Sequence, residues 1–213
     1  MTQSPPLSPV EFGVGARITL SAMSDDYVRI LLDALSSADA TGLEVQTGAV
    51  STFAAGGEAD LVRYLVGLVA AAGRSGAHVS ATIHFSRGCP GEVVCEVPGG
   101  AGPLAAEIPD VVPTGVSAVA EWALYPLEDT ARAGVEPDHM RDIYAAIDHA
   151  RELGTFRGSE HFVTRLEGDV GDVLATAVAG WVLVGRSVQH VTSHLTISLN
   201  SPSHAAHEIE VTR

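Results

Sequence analysis

Basic residues and cysteines are scarce in this sequence, and each shortage argues against a class of protein. Lys and Arg number 12 among 213 residues against 26 Asp and Glu, which gives a formal net charge of −14. Because that charge repels a phosphate backbone, we expect no nucleic-acid partner. Only Cys89 and Cys95 are present, too few for the disulfide framework of a small secreted domain, so we expect a cytoplasmic protein.

The sequence also lacks a segment able to cross a bilayer. Its most apolar stretch, Leu61 to Ala72, contains Arg63 and is shorter than the roughly 20 residues that a spanning helix needs. The N-terminal residues show no basic region followed by an apolar run, so no secretory signal is predicted. We expect a soluble protein without membrane insertion, with flexible ends at 1–11 and 204–213.

What the sequence does contain is a duplication. A shift of 112 positions aligns two copies without a gap, pairing Asp26 with Asp138, Gly42 with Gly154, Thr52 with Thr164, His78 with His190 and Ser86 with Ser198. Near the start of each copy the offset is 104, so the second copy has 112 − 104 = 8 extra residues, within 128–137. This predicts repeats at 12–95 and 116–203, joined by a linker at 96–115 that is rich in glycine and proline.

Apolar periodicity predicts the order β-α-β-β-α-β in each copy. In the first copy Ile18 and Leu20 alternate with polar residues, and a helical pattern follows Ser24-Asp25-Asp26, residue types that favour a helix N-terminus. Strands at 43–47 and 50–54, a helix at 61–72 and a strand at 78–86 complete the copy. The class predicted is α+β, with tandem ferredoxin-like units in which antiparallel sheets have helices on one face.

The last strand of each copy has a mildly polar face opposite its apolar one. The polar residues are His78, Ser80, Thr82, His84 and Ser86 in the first copy, and His190, Thr192, His194, Thr196 and Ser198 in the second. We expect this face to pack sheet on sheet in a homo-oligomer.

Catalytic and metal-binding patterns are absent from the sequence. It has neither a G-x-S-x-G elbow nor a phosphate-binding loop. His190 and His194 lie roughly 13 Å apart along one predicted strand, and the spacing of Cys89 and Cys95 does not suit structural zinc. We therefore predict no catalytic residues, no metal and no cofactor.

One threonine recurs at the same position on the predicted apolar face of both copies, Thr52 between Val50 and Ala54 and Thr164 between Phe162 and Leu166. A buried hydroxyl needs a hydrogen-bond partner. Two interpretations remain open: each threonine bonds to a nearby backbone group, or each faces a small cavity and bonds to a bound heterocycle.

Several longer motifs follow one another along the chain. They are Arg-Gly-Cys-Pro-Gly at 87–91, Ala-Leu-Tyr-Pro-Leu at 123–127, Gly-Thr-Phe at 154–156, Leu-Glu-Gly-Asp-Val-Gly-Asp-Val at 166–173 and Leu-Asn-Ser-Pro-Ser at 199–203. Through them the chain, from about Phe12 to Ser203, resembles the YkoF family of bacterial proteins that bind thiamin or hydroxymethylpyrimidine.

The resemblance implies a non-catalytic, cytoplasmic homodimer linked to thiamin uptake or salvage, in which each ferredoxin-like unit binds thiamin or its pyrimidine precursor. It also implies ligand contacts at the end of the first strand and from a hydroxyl on the third strand. In this sequence those positions are Leu20 with Thr52, and Leu124 with Thr164.

Two departures from the family pattern indicate unequal sites. Where the family has Leu-Tyr-Pro-Met, the first copy has Leu20-Ser21-Ala22-Met23, whereas the second keeps Tyr125, a candidate wall residue. The extra residues between Glu128 and Pro137 are predicted to lie beside the first helix of the second copy, where we expect them to cover or block its site. We predict two sites of different affinity, or one that has lost binding.

Two other functions remain open. One is a dimeric ferredoxin-like enzyme that handles haem or quinone, with His84, His161 or His194 as axial ligand. The other is a regulatory subunit that has lost ligand binding.

Overall fold

The structure, a computed structural model, describes residues 7–89, 107–127 and 139–204. The first repeat contains β1 (Gly15–Met23), α1 (Tyr27–Ser37), β2 (Leu43–Thr47), β3 (Thr52–Gly56), α2 (Glu58–Gly73) and β4 (His78–Arg87). The second contains β5 (Ser117–Leu127), α3 (His139–Glu152), β6 (Phe156–Glu160), β7 (Val163–Asp169), α4 (Val170–Val184) and β8 (His190–Leu199). Each repeat thus has the predicted element order.

The eight strands form one antiparallel sheet. Their order is β2-β3-β1-β4-β8-β5-β7-β6, so the last strands of the two repeats are neighbours at its centre. The register of β4 against β8 runs from Val79 opposite Leu199 to Arg87 opposite Val191. The predicted α+β class and tandem repeat are confirmed, and the two repeats share a single sheet.

All four helices cover one face of this sheet. Along β4 and β8 every second side chain points toward the helices and is buried, as for Ile83, Phe85, Leu195 and Ile197. α2 and α4 contact each other over the centre, with α1 beside α2 and α3 beside α4. The buried side chains form one hydrophobic cluster that includes residues of both repeats. Each buried aliphatic or aromatic side chain contributes roughly 1.5–3 kcal/mol to the free energy of unfolding, so this cluster holds the helices on the sheet.

Arg87, at the end of β4, is buried completely in this layer. Its Nη2 lies 3.3 Å from Glu58 Oε1, and the guanidinium lies 5.9 Å from the ring centre of Phe12 and 5.8 Å from that of Trp181. Burial lowers the pKa of Arg87, while Glu58 opposes that change.

Nearby Cys89 is disulfide-bonded, so the turn after β4 holds no free thiol at this position.

The start of α1 differs from the expected helix cap. Asp26 occupies the N-cap position, but its side chain makes no capping hydrogen bond. Its carboxylate instead accepts a hydrogen bond of 2.7 Å from Nε of Arg29, which also binds Asp33 one turn further on. The Asp26 carboxylate is therefore bound by Arg29 and not by the free N–H groups at the start of α1.

The two chain ends and the predicted linker are described only in part. Residues 8–14 form hydrogen-bonded turns that place Phe12 in the core. Residues 1–6, 90–106 and 205–213 lie outside the described ranges, so the predicted domain boundaries and flexible ends stay predictions. No helix within the described ranges is long and apolar enough to cross a membrane.

Asp169 attaches the end of the predicted linker to α4. Its carboxylate accepts hydrogen bonds from the backbone N–H and hydroxyl of Thr114, from the N–H of Gly115 and, as the helix cap, from the N–H of Gly171. Burial alone raises the pKa of Asp169, but the hydrogen bonds from Thr114, Gly171 and Gly115 outweigh it and hold that pKa below its ordinary value.

Replacing Asp169 by Asn is expected to lower the free energy of unfolding by about 1–2 kcal/mol at neutral pH, because the cap loses its charge and part of its acceptor capacity. The pKa of this carboxyl is lower in the folded chain than in the unfolded one. Its stabilisation is therefore complete above about pH 4 and is lost as the pH falls through the folded-state pKa. Urea denaturation from pH 7 to pH 3 measures both effects, and an Asp169→Asn variant whose stability difference persists unchanged at pH 3 contradicts the assignment.

Candidate functional site

Two pockets lie at equivalent places in the two repeats, each between the first strand, the first helix and the β-hairpin of its repeat. The first pocket, of about 200 Å³, is lined by Ile18, Leu20, Leu31, Leu35, residues 47–52 and Leu68. The second pocket, of about 230 Å³, is lined by residues 122–124, Ile143, Ile147, Ser159, Glu160 and residues 162–164. Because the hairpins are the outermost strands, the pockets occupy opposite ends of the sheet.

Each pocket has a pair of hydroxyl groups on its hairpin. Thr52, only 6% exposed, lies opposite Thr47 in the register of β2 and β3, and Thr164, 9% exposed, lies opposite Ser159 in that of β6 and β7. The hairpin supplies these pairs because residues that face each other across two strands point to the same side of the sheet.

The two hydroxyl pairs differ in how they are bonded. The Oγ1 atoms of Thr47 and Thr52 lie 3.1 Å apart and share a hydrogen bond. Among the described residues the Thr164 hydroxyl has no hydrogen-bond partner, although little of this residue is exposed. The second pocket therefore offers a hydroxyl with both its donor and its acceptor capacity unused.

The structure brings together four of the five predicted site residues, in two pairs. Leu20 and Thr52 line the first pocket, and Leu124 and Thr164 line the second. Tyr125 does not line the second pocket: it is 49% exposed and lies opposite Thr192, on the face of the sheet away from the helices. Since successive side chains of a strand point to opposite faces, Tyr125 cannot join Leu124 in one wall.

Thr47 and Ser159 are site residues that the sequence analysis missed. The same shift of 112 positions that pairs Thr52 with Thr164 also pairs Thr47 with Ser159, so a signal was present in the repeat. It was overlooked because a threonine and a serine are not identical, although both place a hydroxyl at this position.

Two apolar residues of the hairpins lie elsewhere than predicted. The sequence pattern predicts Val50 and Phe162 on the apolar face of a strand, but both lie in the hairpin loops and are exposed. β3 begins at Thr52, two residues later than predicted, and Phe162 adopts a left-handed backbone conformation with φ of 68° between β6 and β7. Both residues are nevertheless among those that line their pockets.

The described residues that line the pockets carry almost no charge. Glu160 is the charged residue among those that line them. Its Oε1 lies 3.8 Å from Nη1 of Arg165. The strand neighbours of Arg165, Thr164 and Leu166, face the helices, so Arg165 points to the opposite face of the sheet. The remaining lining residues are aliphatic, aromatic or uncharged polar. A ligand in either pocket would meet hydroxyl groups in apolar surroundings.

The candidate axial histidines lie outside both pockets. His84 and His194 are opposite each other at the centre of the sheet, on the face away from the helices, and His161 lies in the β6–β7 loop. Burial lowers the pKa of His84, and the adjacent His194 lowers it further. Within the described part of the chain no group of three or more His, Cys, Asp or Glu is placed to hold a metal ion.

Comparison with known proteins gives two findings. A sequence model of the YKOF-related family matches residues 13–92 and 117–204, once in each repeat. A protein of Bacillus subtilis (strain 168), named "Putative HMP/thiamine-binding protein YkoF", is 29% identical over 189 residues, which cover 89% of this chain and 91% of the relative. The resemblance inferred from the sequence motifs is confirmed.

The insertion at 128–137, predicted to affect the second site, lies outside the described residues.

The different bonding of the two threonines predicts different costs of mutation. Thr52→Val removes the hydrogen bond to Thr47 and is expected to cost about 0.5–1.5 kcal/mol of unfolding free energy. Thr164→Val removes no hydrogen bond among the described residues and is expected to change stability by less than about 0.5 kcal/mol. Equilibrium unfolding of the two variants in urea compares them, and a larger loss for Thr164→Val contradicts the described bonding.

Proposed function

Because the chain belongs to the YkoF-related family, we propose that it binds thiamin or its hydroxymethylpyrimidine precursor in the two pockets, without catalysis. The observation that carries this proposal is the duplicated pocket itself. Each repeat has a cavity of about 200–230 Å³ with a hydroxyl pair on one wall and apolar side chains on the others.

The size of the pockets favours a single heterocyclic ring. They are smaller than the roughly 300–1,000 Å³ that drug-sized ligands occupy, so each suits a pyrimidine better than a whole two-ring ligand. With thiamin bound, the pyrimidine would fill the pocket and the thiazolium would project through the mouth past Val50 or Phe162.

The chemistry of the lining agrees with such a ligand. An aminopyrimidine has both donors and acceptors at its edge, and a hydroxyl group can serve either. Its flat faces are apolar and suit leucine and isoleucine side chains. The formal net charge of −14 favours approach of the thiazolium cation, which would remain outside the uncharged interior.

Binding without catalysis is supported by the groups that line the pockets. A nucleophile becomes reactive when a base lies within hydrogen-bond reach. Among the described residues that line the pockets there is neither histidine nor cysteine, and the shared hydrogen bond of Thr47 and Thr52 joins two hydroxyls. We further propose, from the family alone, a role in thiamin uptake or salvage and a cytoplasmic location.

We also propose that each repeat is a ferredoxin-like unit. The strand order within the first repeat is β4-β1-β3-β2, and that within the second is β8-β5-β7-β6. With the order β-α-β-β-α-β along the chain and both helices on one face, this arrangement supports the split β-α-β plan.

The open face, defined as the polar side of β4 and β8 from His78 to Ser86 and from His190 to Ser198, supports a homodimer. At its centre Thr82 lies opposite Thr196, and His84 opposite His194, so the middle of the face has small or uncharged side chains. Arg17 of β1 and Glu121 of β5 lie beside these strands. A face of small or uncharged side chains with charged neighbours suits sheet-on-sheet packing with a second copy.

Ligand binding predicts a specific effect of the two threonines. The double variant Thr52→Val/Thr164→Val is expected to weaken binding of free hydroxymethylpyrimidine about 2- to 13-fold in each pocket, the loss that one neutral hydrogen bond accounts for. Isothermal titration calorimetry measures it, and Thr41→Val, an exposed threonine outside both pockets, is the matched control. Wild-type affinity in a folded double variant argues against this site, and absence of saturable binding of thiamin and pyrimidine to the wild type argues against the function.

The homodimer predicts a mass twice that of one chain at micromolar concentration in multi-angle light scattering. The double variant Thr82→Glu/Thr196→Glu puts like charges at the centre of the open face and is expected to give monomers, whereas the control Thr41→Glu is expected to leave the dimer intact. A monomeric wild type contradicts the dimer, and a dimer that survives both central charges contradicts this interface.

A further inference from the structure

The two pockets differ most in their aromatic residues. Trp122 and Phe162 line the second pocket, whereas the equivalent positions of the first pocket have Ile18 and Val50. The strand registers establish the first equivalence, because Ile18 lies opposite Thr52 and Trp122 lies opposite Thr164. The shift of 112 positions, which also pairs the two threonines, relates Val50 to Phe162.

The indole of Trp122 is held firmly on the inner side of the second pocket. Its residue is only 2% exposed, and Nε1 donates a hydrogen bond of 2.8 Å to Oγ of Ser193. Gly180 of α4 makes room for the ring, since a Cβ there would lie 2.5 Å from Cη2 of Trp122. The first repeat has Leu68 at the position of Gly180. The second repeat therefore combines a larger strand residue, Trp122 in place of Ile18, with a smaller helix residue, glycine in place of leucine.

The side chain of Phe162 is exposed in a conformation that phenylalanine rarely adopts. It is 96% exposed, and its φ of 68° lies in the left-handed region that favours glycine or asparagine. Its one described ring contact is a tilted one with His161, at a centroid distance of 6.5 Å. Burial therefore does not offset the backbone strain, and strained residues of this kind are concentrated at ligand sites.

We propose that the second pocket is the tighter of the two sites and selects a planar aromatic heterocycle, which Trp122 borders from inside and Phe162 contacts at the mouth. This inference rests on the proposed function and adds to it which pocket binds more tightly and which residues determine the difference. Each aromatic pair in a favourable geometry adds about 2- to 13-fold to affinity, and the first pocket has neither. The hydroxyl of Thr164, which has no hydrogen-bond partner among the described residues, also favours tighter binding in the second pocket. To bond a ligand in the first pocket, Thr52 must break or share its hydrogen bond with Thr47.

Exchanging the mouth residues tests the proposal without disturbing the core. Phe162→Val gives the second pocket the residue of the first, and Val50→Phe makes the reciprocal change. Calorimetry with free hydroxymethylpyrimidine and with thiamin is expected to show two classes of site in the wild type. Phe162→Val should weaken the tighter class about 2- to 13-fold and leave the weaker class unchanged, and Val50→Phe should strengthen the weaker class.

Phe162→Gly separates a ligand-binding role from a structural one. Glycine accepts the left-handed conformation, so the melting temperature of the free protein should stay equal or rise, while the affinity of the tighter site falls. A variant that melts lower and binds as before shows that Phe162 stabilises the hairpin and overturns the proposal.

Trp122 has its own readout, because the chain contains only two tryptophans. The Trp181→Phe variant leaves Trp122 as its one tryptophan. When this variant is titrated with ligand, binding at the second pocket should change the fluorescence of Trp122, and the midpoint of the titration should equal the dissociation constant of the tighter site. The pair Trp122→Ile/Gly180→Leu, which copies the first repeat, should lower the affinity of the tighter class to near that of the weaker class. A fluorescence midpoint at the weaker constant, or an unchanged tighter class in a folded variant, overturns the proposal.

The outcomes distinguish this inference from the proposed function. If the wild type binds neither thiamin nor the pyrimidine, the proposed function and this inference both fail. If the wild type binds a vitamer and Phe162→Val leaves both classes of site unaltered, the proposed function stands and this inference alone is overturned.

Discussion

The antiparallel pairing of β4 with β8 is the constraint on which the rest of the structure depends. It joins the last strands of both repeats at the centre of one sheet, so the hydrophobic sides of the two units face the same way and their helices form one layer. The same pairing directs the two hairpins outward, which places the pockets at opposite ends of the sheet. It also makes the polar side of the sheet continuous across the two repeats.

Within this scaffold the repeats have kept one pocket and changed its chemistry. Both retain a threonine at the start of the third strand, opposite a second hydroxyl on the neighbouring strand. In the first repeat the two hydroxyls bond to each other among aliphatic side chains. In the second repeat Thr164 lies beside Trp122 and has no hydrogen-bond partner among the described residues. Duplication supplies two sites at once, and divergence of a few lining residues then adjusts each site separately.

Much of this arrangement can be predicted from sequence, because the repeat and the strand periodicity are local patterns. The shift of 112 positions pairs Thr52 with Thr164 without any structure. Tyr125, in contrast, is predicted to share a wall with Leu124, although the alternation along β5 points the two side chains to opposite faces of the sheet. The joining of two sheets through β4 and β8 has no local signal, since it is a contact between distant strands. The positions of Val50 and Phe162 were misread because apolar residues suggested strand, while the turn geometry placed them in exposed loops.

A crystal structure of the protein with hydroxymethylpyrimidine tests the central claim most directly. The account predicts one pyrimidine ring in each pocket, with a ring nitrogen or amino group within hydrogen-bond distance of the Thr52 and Thr164 hydroxyls. In the second pocket the ring should lie against Trp122. Pyrimidine bound on the open face, or at a site apart from both hairpins while the two pockets stay empty, would contradict it.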